Sequence, residues 1–89
     1  MRDHDLLAAL LDLAQEAGLV LRRMPPESEQ SERGGSLVRF RGSDVLFLNE
    51  SATPDAQIDA VAAALKGRLD LETRFLPPEV RQRIEDSGA

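Results

Sequence analysis

The chain contains no cysteine, no tryptophan and no tyrosine, and its one histidine is His4. Each absence removes a class of chemistry. Without cysteine there is neither a disulfide framework nor a thiolate metal site. With one histidine, set between Asp3 and Asp5, a closed zinc site has no ligand set, and Asp-His-Asp reads as a solvated helix start. A stacking platform for bases or sugars would need Phe40, Phe47 or Phe75, and all three sit in apolar runs that read as core. No apolar run approaches the ~20 residues of a membrane span. The first five residues lack the basic-then-apolar layout of a signal peptide. These features lead to the expectation of a cytoplasmic protein with no membrane partner.

Positive charge is also in short supply. The net charge of −5 argues against nucleic acid or anionic lipid as partner. Its distribution is uneven: residues 1–21 carry −3, residues 22–43 carry +2 and residues 44–89 carry −4. A chain of 89 residues reads as one domain spanning 1–89. A domain of this size buries only roughly 60–65% of its unfolded surface, so partner surfaces can contribute materially to its stability.

What is present is organised by hydrophobic spacing. Asp3 to Ala17 has Leu6, Leu10, Leu13, Ala14 and Ala17 on one helical face, with Asp3 or Asp5 as cap and Gly18 as stop. Leu19 to Arg23 alternates weakly as a strand. Residues 24–35, with two prolines and two glycines, read as a mobile loop, either a lid or slack. Leu37–Arg41 and Asp44–Leu48 flank Gly42-Ser43 as a two-residue hairpin that pairs Arg41 with Asp44 and Val38 with Phe47. Thr53-Pro54-Asp55 opens a second helix with Ile58, Val61, Ala62 and Leu65 as its stripe and Gly67 as its end. Leu69–Phe75 alternates as a fourth strand, parallel to the third across a βαβ unit. Glu79–Asp86 follows Pro77-Pro78 as a short helix docking through Val80 and Ile84.

The expected fold is α+β: a mixed three- or four-stranded sheet with two main helices on one face, in the order α-β-β-β-α-β-α. The expected core is Leu6, Leu10, Leu13, Leu19, Leu21, Val38, Phe40, Val45, Phe47, Ile58, Val61, Ala62 and Leu65. The opposite sheet face then carries Leu37, Arg39, Arg41, Leu46 and Leu48, aliphatics mixed with arginines, which suits an interaction surface. Either a partner or the folded-back 77–86 segment covers it. Arg39 and Arg41, with Arg22 and Arg23 on a neighbouring strand, can alternatively hold an anion.

Catalytic signatures are missing. The serines lie in turns, none in a Gly-x-Ser-x-Gly elbow, with His4 the only base to hand. Glu50 with Asp55, or Asp70 with Glu72, are near in sequence, but among sixteen acids some proximity arises by chance. Gly34-Gly35-Ser36 has neither the lysine nor the following helix of a P-loop. No catalytic, cofactor-binding or metal-ligating residue is assigned, and no cofactor is expected.

Two stretches, Gly34-Gly35-Ser36-Leu37-Val38-Arg39-Phe40-Arg41-Gly42 and Leu76-Pro77-Pro78-Glu79-Val80-Arg81, together resemble a group of small bacterial proteins of unassigned function. That resemblance runs from Gly34 to Ile84 and implies a compact domain in a bacterial cytoplasm. Ala62-Ala63-Ala64-Leu65-Lys66-Gly67 is more distantly similar to the helix of zincin-type metallopeptidases. Ala63 and Gly67 stand where that family has its metal-binding histidines, and Ala64 stands where it has its catalytic glutamate, so the resemblance implies at most an inactive relative. The resulting expectation is a non-catalytic interaction module, homodimeric or bound to another protein.

Overall fold

A computed structural model describes residues 2–24, 33–68 and 75–87. The elements are α1 (Asp3–Glu16), β1 (Val20–Arg23), β2 (Gly35–Phe40), β3 (Ser43–Leu48), α2 (Pro54–Leu65) and α3 (Pro78–Asp86). The three strands form one mixed sheet in the order β1-β3-β2, with β1 parallel and β2 antiparallel to the central β3. Among the described residues this is a small α+β fold with a three-stranded mixed sheet.

Local chemistry accounts for the element ends. Gly18 takes a positive φ of 89° just past α1. Its N–H donates to the Gln15 carbonyl and that of Leu19 to the Ala14 carbonyl, which satisfies two of the helix's last acceptors and turns the chain into β1. Arg2 precedes α1 without a side-chain cap, and Asp3 and Asp5 sit in the first turn, where they complement the helix dipole rather than cap it. At α2 the Thr53 hydroxyl accepts from the Ala56 N–H at 3.1 Å and Pro54 occupies the first helical position.

The hairpin turn falls one residue earlier than the Gly42-Ser43 placement. Arg41 (φ 51°) and Gly42 (φ 80°) are its two central residues, both left-handed, a turn whose twist matches that of the flanking strands. Val38 therefore lies opposite Val45, and Leu37 opposite Leu46. Moving the turn by one residue shifts each cross-strand partner by two. The sorting of side chains into two faces survives.

Which face meets the helices is the reverse of the expected one. α1 and α2 pack on each other and on the side of the sheet carrying Leu46, which is 1% exposed; Leu21 and Leu48 pack partly against the same cluster. Leu46 joins Leu6, Leu10 and Leu13 of α1 and Ile58, Val61 and Leu65 of α2. Each such burial is worth about 1.5–3 kcal/mol. Val38 and Phe40, expected beneath the helices, are exposed, and Phe47 is only half-buried. The physical reason is Gly35. It shares the face of Leu37 and Leu46, and a Cβ there would come within 3.2 Å of Ala60 Cβ and 2.7 Å of the Phe47 carbonyl oxygen. The missing side chain lets α2 settle onto that side. A Cβ on neighbouring Gly34 would overlap the Ala56 carbonyl, so both glycines serve the same close approach.

α3 does not cover the opposite sheet face. It packs on α1 and α2 through buried Val80 and Ile84. Arg83 Nη2 donates to Asp55 (2.6 Å) and Asp59 (2.9 Å) of α2, and Lys66 Nζ donates to the carbonyls of Glu85 (3.0 Å) and Ser87 (2.9 Å) at the C-terminal end of α3. The hydrogen bond to Asp55, chiefly, raises the Arg83 pKa above its ordinary value against a lowering by burial. Arg83 thus stays charged while it ties α3 to α2.

Of the 24–35 loop, residues 25–32 lie outside the described residues. Its ends are tied down: Met24 is buried with its N–H donating to the Leu48 carbonyl, and Gly35 already belongs to β2. Residues 69–74 of the expected fourth strand also lie outside the described residues. Phe75 is described, exposed and outside any strand.

Candidate functional site

The uncovered sheet face is built by three short rows. Val20, Val45 and Val38 lie side by side across β1, β3 and β2; Arg22, Phe47 and Ser36 form the next row; Phe40 and Ser43 stand at the turn. Val45, between these two valines, is itself buried. Phe40 is 59% exposed and Val38 41%. The Arg41 guanidinium sits 5.2 Å from the Phe40 ring centroid, within cation–π range. The result is a shallow apolar depression of about 460 Å³, with Arg22 and Arg41 at its border. Among the described residues no helix lies over it. Exposed Val38 and Phe40 beside half-buried Val20 and Phe47 make a contiguous apolar patch rather than scattered single exposures.

The five residues expected to share one interaction face are divided. Leu46 is in the core and Leu48 packs against it, because the helices occupy their side of the sheet. Leu37 points the same way but lies beyond the reach of α2 and is 47% exposed. Arg39 bonds Asp44 at 3.4 Å, and Asp44 also pairs with Arg68. Arg41 is in the turn. Arg22 borders the open face, and Arg23 pairs with Glu50 at 3.1 Å. The arginines therefore do not converge on one anion site.

Reactive constellations are equally dispersed. His4 Nε2 lies 3.1 Å from Asp5 Oδ1 on an exposed first turn. Among the described residues no three of His, Cys, Asp and Glu group as metal ligands, and no helix is long and apolar enough to cross a membrane. The one fully buried polar side chain of β3's end, Asn49, has a structural task. Its Nδ2 donates to the Arg33 carbonyl (3.0 Å) and its Oδ1 accepts from the Ser51 N–H (3.1 Å), which ties the start of β2 to the loop before α2.

Sequence reasoning found the apolar alternation on both faces but missed which one is left open. The available signal was the parity of Gly35: a glycine in register with Leu37 marks the side where a helix backbone can come close. No protein-family model, no curated protein and no solved structure matches the chain.

Proposed function

We propose that this chain is a non-catalytic interaction module that associates with a second copy of itself through the uncovered part of its sheet. The reading rests on one observation above all: β2 exposes Leu37 on one side and Val38 and Phe40 on the other, while α1, α2 and α3 all lie on a single side of the sheet. Leaving these side chains in water is unfavourable by about 25 cal/mol per Å² of apolar surface, and association removes that cost. The resemblance of Gly34–Ile84 to small bacterial proteins supports a bacterial cytoplasm as its setting. Anion binding on an arginine-bearing face has less support, since Arg23 and Arg39 are paired with acids.

Sedimentation equilibrium tests the reading. A dimer at micromolar concentration is expected, weakened by Phe40→Ser. A wild-type monomer of 9.8 kDa up to several hundred micromolar would overturn it.

A further inference from the structure

Resting on the self-association just proposed, we infer how the two copies meet: β2 pairs edge to edge with β2 of the second copy, antiparallel about a two-fold axis through Leu37, and the two sheets become one. The direction of the backbone groups comes first. The Asn49 N–H donates to the Gly34 carbonyl at 2.8 Å, so Gly34 faces β3. Bonded residues alternate along an antiparallel ladder. Ser36, Val38 and Phe40 therefore also turn inward to β3, and Gly35, Leu37 and Arg39 direct their N–H and C=O groups outward. Among the described residues no strand pairs with that outer edge. The other edge without a partner strand among the described residues, β1, has four residues.

Two-fold pairing centred on Leu37 is self-complementary. Leu37 faces Leu37 of the second copy, and Arg39 faces Gly35. On the other side Val38 faces Ser36, with Phe40 beside it. Arg39 and Val38 each meet a small residue, Leu37 meets its own equivalent at the axis, and about six backbone hydrogen bonds form. Charge points the same way. In this register Arg39 enters, over Gly35 of the second copy, a cleft lined by Gly34, Gly35, Ala60 and Ala63 with Asp59, Asp86 and Arg33 at its border. Among the described residues the Asp86 carboxylate accepts from the neutral Gln82 amide at 2.9 and 3.0 Å, and Asp59 shares its charge with Arg83. The cleft thus carries two carboxylates against one guanidinium, and the incoming arginine's own partner, Asp44, is also engaged by Arg68. The occupant is a second copy of this chain, since its own edge supplies the apolar, small and charged groups in matching order.

Single-cysteine variants in this cysteine-free chain read the geometry directly. At a bonded antiparallel pair the Cα atoms stand about 5.5 Å apart, within disulfide reach, whereas residues one step off the axis lie beyond about 7 Å. Leu37→Cys should crosslink to a covalent dimer on mild oxidation, and Val38→Cys should not. Leu37→Pro removes an outward N–H without touching the bonds to β3, so it should be monomeric by sedimentation while keeping the wild-type circular dichroism. Arg39→Glu should raise the dimer dissociation constant about tenfold or more, and Asp86→Arg in the same chain should recover part of the loss. A wild-type monomer would defeat the self-association reading itself. A wild-type dimer that crosslinks through Cys at 38 and not at 37 would overturn the edge pairing alone and indicate packing through the open faces.

Discussion

The two faces of the β2–β3 hairpin are close to equals in composition and opposite in fate. One carries Leu37, Leu46 and Leu48, the other Val38, Phe40, Val45 and Phe47. Measured by hydrophobicity the second is the better candidate for the core, since it holds both aromatics. Yet Leu46 is buried under α1 and α2 while Phe40 stands in water. A helix does not choose the more apolar side of a strand pair; it packs where its backbone can approach. Gly34 and Gly35 provide that approach, and the aromatics are left on the side with no such clearance.

The sharpest way to break this comparison is to truncate one residue on each face. Leu46→Ala should lower the unfolding free energy by about 2–5 kcal/mol, because the core around it relaxes only in part. At concentrations low enough for the monomer, Phe40→Ala should change it by about 0.5 kcal/mol or less, as for other surface substitutions. Urea denaturation of the two variants checks both, and a larger loss for Phe40→Ala than for Leu46→Ala would mean that the covered and open faces have been exchanged. The next effect in size concerns the cause of the choice. Gly34→Ala forces a methyl group against the Ala56 carbonyl and should cost about 3 kcal/mol, since backbone cannot swing aside as a side chain can.

Asn49→Ala probes the knot that holds those glycines beside α2. Losing the bonds to the Arg33 carbonyl and the Ser51 N–H at a buried position should cost about 1–3 kcal/mol in the same assay. The smallest effect lies at the hairpin turn, away from both faces. Arg41 holds a left-handed φ of 51° that asparagine tolerates better, so Arg41→Asn should raise stability by roughly 0.5–1 kcal/mol. A loss of that size would show that the stacking of Arg41 on Phe40 outweighs the backbone strain.

Much of this fold was already legible along the chain. Leu6, Leu10 and Leu13 announce α1 by their spacing, Thr53-Pro54 announces the start of α2, and Gly18 the end of α1, because helix period and capping are properties of a few consecutive residues. The division of Val38 and Phe40 from Leu37 and Leu46 was legible for the same reason: alternation along a strand is local, and it survived the one-residue misplacement of the turn. The candidate site was legible only in part. That the two main helices would cover one hairpin face was expected, with a partner or the 77–86 segment over the other, but which face is which was not legible. Whether Leu46 or Phe40 is covered depends on where α2 lies, and α2 is positioned by Gly35 meeting Ala60 and by Gly34 meeting Ala56, residues far apart in the chain. Hydrophobic pattern alone is symmetric between the two sides of a strand, so only close packing in three dimensions, steric and short-ranged, could decide between them.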